Sequence, residues 1–265
     1  MTKIIVLGAC GRMGSTIMRL ASEDSGLDIV GAIERPDSPF IGEDSSRFGG
    51  KKGLLISSSL KERADKDTVI IDFTHRDSTI KNVLIAKEKN APMVIGTTGF
   101  DKAQLSEIEK LAKEGFPCVL SPNMSMGVNL LFKLVEEAAK VLKDEYDIEI
   151  LEIHHRMKKD APSGTAVKLG QIIAEALGRE YEKVAVFERK GITGERTKEE
   201  IGMQTLRAGD VVGEHTVIFG GMGERVELIH RAHSRENFAR GALRAAKWVV
   251  DKPYGLYSMK DVLNL

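Results

Sequence analysis

The chain of 265 residues has no surplus of either charge: 39 Lys and Arg stand against 39 Asp and Glu. Nucleic-acid-binding proteins carry a basic excess or stripe that pairs with phosphates, so the balance speaks against that class. Cysteine is nearly absent. Cys10 and Cys118 are far apart, and no CxxC pair or Cys/His cluster accompanies them, which excludes a disulfide framework and a zinc site of the usual spacing. Long hydrophobic runs are missing too: none reaches the roughly 18 residues of a membrane span. The opening Met1–Leu7 has too short an apolar run for a signal peptide and leads straight into glycines. A cytoplasmic protein with no membrane and no nucleic-acid partner is the expectation. Repeats and low-complexity segments are likewise absent. What remains is 42% hydrophobic and 29% charged, a globular composition long enough for one large domain or two modest ones.

Alternation of strand and helix patterns fills the first half. Residues 3–7 are a β-branched run. Met13, Ile17 and Ala21 then recur at four-residue spacing, and Leu27–Ile33 reads as a second strand, giving a βαβ unit of about 30 residues. Strands follow at 69–71, 93–95 and 117–120. Between them lie helices with Ile80, Val83 and Leu84 on one face of the first and Leu105, Ile108 and Ala112 on one face of the next. Such alternation predicts a doubly wound parallel sheet.

Near residue 123 the style changes. Val128 to Leu142 reads as one long helix. Strands follow at 146–153, 184–187, 203–207, 215–219 and 224–233, with a helix at 165–177. The last three strands have short glycine-bearing links and predict an antiparallel meander. Lys190–Glu200 is polar and glycine-bearing, the composition of a mobile loop. A closing helix covers 237–250. The expected fold class is therefore α/β: a Rossmann-type doubly wound parallel sheet, with a second α+β domain carrying an open mixed sheet.

Gly8-Ala9-Cys10-Gly11-Arg12-Met13-Gly14 joins the first strand to the first helix. Glycines there permit a tight turn and let the backbone approach a pyrophosphate at a helix N-terminus. The spacing is GxxGxxG, and Glu34 closes the second strand about 20 residues on, where a carboxylate can accept hydrogen bonds from an adenosine ribose. Arg35 beside it can pair with a 2′-phosphate. Cys10 reads as a small loop filler and not a reactive thiol.

The densest chemistry lies in His154-His155-Arg156-Met157-Lys158-Lys159-Asp160-Ala161-Pro162-Ser163-Gly164-Thr165. It leaves a strand, crosses a loop and opens a helix. Ser163, Gly164 and Thr165 offer backbone N–H groups and hydroxyls at the positive helix end, which suits a carboxylate or phosphate. A histidine near neutrality can act as general acid. His154 and His155 are adjacent on what reads as a strand and should point to opposite faces, so a shared metal is not expected.

Taken together, these segments resemble the dihydrodipicolinate reductase family, also called 4-hydroxy-tetrahydrodipicolinate reductase, of the diaminopimelate–lysine pathway. The resemblance is carried by Gly8–Gly14, Asp72-Phe73-Thr74, Gly96-Thr97-Thr98-Gly99-Phe100, Asn123-Met124-Ser125, Glu152 through Thr165 and Gly255-Leu256-Tyr257-Ser258-Met259, in family order over nearly the whole chain. It implies NAD(P)H-dependent reduction of 4-hydroxy-tetrahydrodipicolinate to tetrahydrodipicolinate, with NADH or NADPH as the cofactor. It implies that Gly8, Ala9, Cys10, Gly11, Arg12 and Met13 bind the cofactor, with Glu34 on the ribose and Arg35 on a 2′-phosphate. Gly96, Thr97, Thr98, Ser121, Pro122, Asn123 and Met124 would line the nicotinamide half. His154 would be the proton donor, Lys158 a second donor, and His155, Ser163, Gly164 and Thr165 would hold the dicarboxylate substrate. A homotetramer built through the second domain is also implied, with residues 1–123 and 236–265 as the dinucleotide-binding domain and 124–235 as the substrate-binding one. His75 receives no role. Another two-domain Rossmann oxidoreductase would account for the glycine loop but not for His154 through Thr165. A non-catalytic NAD(P)H-sensing protein would need a partner-binding module, and none is visible.

Overall fold

In the computed structural model, which describes residues 1–265, the elements run in the order β1 (Thr2–Leu7), α1 (Arg12–Ser22), β2 (Leu27–Ile33), β3 (Thr68–Asp72), α2 (Arg76–Lys89), β4 (Met93–Ile95), α3 (Lys102–Gly115), β5 (Pro117–Leu120), α4 (Met126–Leu142), β6 (Asp147–His154), α5 (Gly164–Ala176), α6 (Tyr181–Val184), β7 (Ala185–Val186), β8 (Ile201–Arg207), β9 (Gly213–Gly220), β10 (Arg225–Ala232), α7 (Glu236–Val249), β11 (Gly255–Tyr257) and α8 (Met259–Leu263), with short 3-10 turns at 45–48 and 143–145. They form two units, Met1–Met126 with Glu236–Leu265, and Gly127–Arg235. The units meet at Met126/Gly127, against 123/124 in the sequence reading.

In the first unit a six-stranded sheet has the order β11-β5-β4-β3-β1-β2, with every neighbouring pair parallel. Parallel strands covered on both faces are apolar throughout, and successive side chains alternate between faces. Ile4 and Val6 thus enter a core with Ile17 of α1, Leu243 of α7 and Val262 of α8. Ile5 and Leu7 enter another with Val83 of α2 and Ile108 of α3. Local chemistry sets the helix ends. Asp101 and Gln104 form a reciprocal capping box at α3, and Asn90 closes α2 in the left-handed conformation. Two helix faces differ from expectation: α2 buries Thr79, Val83 and Ala86 while Leu84 is 49% exposed, and α3 buries Ile108 and Ala112 while Leu105 is exposed. β11 was not predicted; its three residues extend the sheet beside β5.

The chain passes from β1 outward to β2, then returns to β3 on the other side of β1. A reversal of this kind leaves a crevice at the carboxyl ends of the strands, where such sheets bind ligands.

The second unit carries a five-stranded sheet of order β10-β9-β6-β8-β7. It is mixed and open, because β6 is parallel to β8 and antiparallel to β9. The expected meander is therefore incorrect: β9 and β10 form a hairpin, but β6 lies between β8 and β9. Short links permit a hairpin without requiring one. The central place goes to the strand that puts Ile148 and Ile150, both fully buried, under α4 and α5. Even-numbered residues of β6 face these helices, which puts Glu152 and His154 on the covered side. At the ends of the polar loop, Arg189 and Arg196 are bonded to Glu149 of β6, and Arg196 also to Asp147. Residues 191–195 are exposed. No helix in either unit is long and apolar enough to cross a membrane.

Candidate functional site

The carboxyl ends of β1, β2 and β3 surround a cavity of about 710 Å³ whose walls include Gly8, Gly11, Glu34, Arg35, Thr74 and Lys81. Gly8 has φ +65°, which a residue with a Cβ adopts only with strain. Its carbonyl accepts the Gly11 N–H at 2.9 Å, and a Cβ on Gly14 would lie 2.1 Å from that carbonyl oxygen. Glycine at both positions lets the first turn of α1 close against the loop. No side chain caps the helix start at Gly11, so its first N–H groups and the positive end of the helix dipole suit a phosphate. One Glu34 carboxylate oxygen accepts the Cys10 N–H at 2.8 Å, bracing the loop, and the other accepts the Arg35 N–H at 3.3 Å. The Arg35 side chain is exposed, with Asp37 at 3.3 Å. Burial, then the charges of Glu34 and Glu43, push the Cys10 thiol up to about 11, so it stays protonated as a filler.

Of the other residues expected at the cofactor, Gly96, Thr97 and Thr98 follow β4, and Ser121, Pro122, Asn123 and Met124 follow β5. Both segments lie off this cavity. Ala9 and Met124 have buried side chains in the core and can meet a ligand only through the backbone. Arg12 is exposed and Met13 half-buried. Thr97 is tied to the buried Asp72, whose carboxylate accepts from the Thr74 N–H and hydroxyl at 2.8 and 2.6 Å, from Asn82 at 2.9 Å and from Thr97 at 3.3 Å. This carboxylate ties the end of β3 to the segment after β4 and to α2. Thr74, His75, Lys81 and Asn82, all lining the cavity, had no site role in the sequence reading. Their only sequence signal was Asp-Phe-Thr after a strand. His75 also starts α2, its Nδ1 accepting the Asp77 N–H at 3.4 Å.

In the second unit the site is made of side chains. Glu152, wholly buried, accepts from His154 Nδ1 at 2.5 Å, from both terminal nitrogens of Arg207 at 3.0 Å and from the Ser163 N–H at 3.0 Å. Burial alone would raise this carboxyl; the hydrogen bonds from His154 and Arg207, the His154 charge and the Ser163 N–H outweigh it and hold it down at about 2. Ser163 caps α5, accepting the Ala166 N–H at 3.2 Å, and its hydroxyl lies 2.9 Å from His215 Nε2. Burial, followed by the charge of His154, lowers His215 to about 3, so its ring is neutral and packs edge-on to that of His154 at 5.3 Å.

His154 and Ser163 are thus brought together through Glu152. Lys158 is not bonded to either: its ammonium lies 2.8 and 2.9 Å from the two carboxylate oxygens of Asp160. His155 lies beyond the end of β6, so the opposite-face argument does not apply to it; its Nδ1 is buried without a protein partner. Gly164 and Thr165 form the first turn of α5 beside these groups, and a Cβ on Gly164 would meet nothing within 4 Å. Glu152, Arg207 and His215 were missed as functional residues. Arg207 lies 55 residues from Glu152, and His215 lies 52 from Ser163, separations with no local periodicity to connect them.

Two family models match in tandem: "Dihydrodipicolinate reductase, N-terminus" over residues 2–124 and "Dihydrodipicolinate reductase, C-terminus" over residues 127–263. The 4-hydroxy-tetrahydrodipicolinate reductase of Syntrophus aciditrophicus is 55% identical over 100% of this chain and 99% of its own. That of Geobacter sulfurreducens is 52% identical over the full length of both. Among solved structures, the dipicolinate-bound dihydrodipicolinate reductase of Paenisporosarcina sp. TG-14 superposes with a TM-score of 0.78 at 25% identity, covering 97% of each chain.

Proposed function

The chain belongs to the dihydrodipicolinate reductase family, an oxidoreductase family of diaminopimelate and lysine biosynthesis, and from that premise we propose the roles of its residues in reducing 4-hydroxy-tetrahydrodipicolinate to tetrahydrodipicolinate. The observation that carries the reading is the cluster of Glu152, His154 and Ser163 at the start of α5, chemistry that another Rossmann oxidoreductase would not require. When bound, the reduced nicotinamide supplies a hydride. The chain's part is to hold that cofactor, bind the dianionic ring and provide a proton.

Residues Gly8–Met13 would take the pyrophosphate on backbone N–H groups, with Glu34 on the ribose. Arg35 beside Glu34 supports use of both NADH and NADPH, since its exposed guanidinium can pair with a 2′-phosphate. Gly96–Thr98 and Ser121–Met124 would flank the nicotinamide half from their strand ends. In the second unit, the N–H groups of Gly164 and Thr165 and the Ser163 cap would hold one substrate carboxylate. His155 and Lys158 would hold the other; Lys158 would exchange Asp160 for it. The His154 ring would give the proton that quenches the electron density built up by hydride attack. The protein is read as cytoplasmic. A homotetramer is supported by the uncovered face of the second sheet, where Leu206 and Ile229 are 48% and 43% exposed.

The test is a coupled assay in which the substrate is generated enzymatically and nicotinamide absorbance is followed. Substrate-dependent oxidation of NADH and NADPH is expected. Oxidation with neither cofactor would reject the reading.

A further inference from the structure

We propose that Glu152, clamped by Arg207, is a positioning residue that holds the His154 ring so that Nε2 is the nitrogen that gives and regains the catalytic proton. This rests on the reading of His154 as the proton donor.

Glu152 has no contact with solvent, and its carboxylate faces Nδ1 of His154 at 2.5 Å. A carboxylate can only accept, so Nδ1 keeps its hydrogen in both charge states of the ring. The proton that leaves therefore leaves from Nε2, and the neutral ring that remains is the Nδ1–H form. That nitrogen stands over Gly213 of β9, where a Cβ would lie 3.0 Å from Nε2; glycine keeps that side of the ring uncrowded. The clamp is itself rigid. Arg207 grips both oxygens of Glu152 in a fork, and also donates to the carbonyls of Asp160 and Leu206. The Ser163 N–H and, at 3.4 Å, the Thr205 hydroxyl complete the carboxylate's surroundings. An ionised, fully bonded acceptor of this kind fixes both tautomer and ring orientation.

The titratable and charged groups around His154 are Glu152 on its own strand, Arg207 on β8, His215 on β9 with His230 behind it on β10, and Lys158 and Asp160 in the following loop. His215 is neutral, held low by burial. The Glu152 carboxylate is thus the anion bonded to the ring, and Arg207 is the cation that moderates it. Removing the anion should make imidazolium less stable, and removing the cation should make it more stable.

Glu152→Gln keeps an acceptor but loses the charge. The alkaline decline of kcat is expected to move about one pH unit lower, with kcat on the falling limb down by up to about tenfold and KM for substrate within about twofold. Arg207→Gln should move the same limb upward. Opposite shifts would not follow from a loss of packing, which affects both variants alike. A direct measurement needs no variant: 15N chemical shifts of the histidine side chains in the wild-type enzyme, with His154 assigned by difference from His154→Ala, should show a neutral His154 with hydrogen on Nδ1. A neutral ring with hydrogen on Nε2 would overturn the proposal, whether or not the variants fold. So would an unmoved pH limb in a folded Glu152→Gln enzyme. If instead His154→Ala turns over normally, it is the assignment of His154 as donor that fails, and the two failures are distinguishable.

Discussion

The two units assemble their sites from different materials. In the first, the groups that would meet the cofactor under the proposed reading are largely backbone: the turn at Gly8, the open start of α1, and the loops after β4 and β5. Side chains such as Glu34 and Asp72 work mainly by bracing that backbone. In the second unit the groups are side chains from three strands and a helix start, joined through one buried carboxylate. A backbone cradle recognises a phosphate or ribose common to many cofactors, so it can be generic. A proton donor needs a particular charge state and direction, which only a network of charged neighbours can impose.

If this division is right, losses in the second unit should strike turnover and spare cofactor binding. His154→Ala and Lys158→Ala are expected to lower kcat by about 10²–10⁴-fold, the usual range for general acid–base assistance. Lys158→Ala should also raise KM, since its ammonium would face a dianion. NADPH binding, followed by nucleotide fluorescence, should stay near wild type. A kcat within about threefold of wild type for both variants would remove the catalytic assignment.

The complementary change in the first unit should act on the cofactor alone. Arg35→Ala is expected to weaken NADPH by roughly ten- to a hundredfold, the worth of a charge-assisted contact of ~1.5–3 kcal/mol, and to leave NADH nearly untouched. Titrations with the two nucleotides measure this, and equal losses would show that Arg35 does not see the 2′-phosphate.

Acid should separate the units as well. His215 is held at about 3, well below its ordinary value, by burial and then the His154 charge. Between about pH 3 and the ordinary histidine range near 6.5, the unfolded chain therefore binds a proton that the folded one refuses. Stability falls as pH drops through that window. Glu152, held at about 2 against burial by His154 and Arg207, adds a loss in the same direction as pH falls below the ordinary carboxylate range toward 2. Thermal unfolding midpoints from pH 7 to 4 should decline less steeply for His215→Gln than for wild type; parallel slopes would contradict this. The smallest effect belongs to the start of α5. A Cβ at residue 164 would meet no atom within 4 Å, so Gly164→Val should change the melting temperature little while KM for the substrate rises several-fold. A matching loss of cofactor affinity would show that the segment serves the nucleotide site.

Most of the first unit could be read before folding because its information is local. The GxxGxxG spacing, the acidic residue closing β2 and the alternation of apolar runs with helical stripes all lie within a βαβ repeat, and short-range sterics and hydrophobic periodicity express them directly. The segment from His154 to Thr165 was legible for the same reason, as one strand–loop–helix passage. Its organisation was not. Glu152 reads in sequence as one more polar residue on a strand; it becomes the hub of the site only because β6 inserts between β8 and β9 and brings Arg207 and His215 to its sides. The same insertion replaced the predicted meander. Strand order is decided by which apolar faces can be buried together under α4 and α5, a competition among segments distant in the chain. No window of sequence contains that competition, so the charge state and aim of the His154 ring were left to tertiary structure.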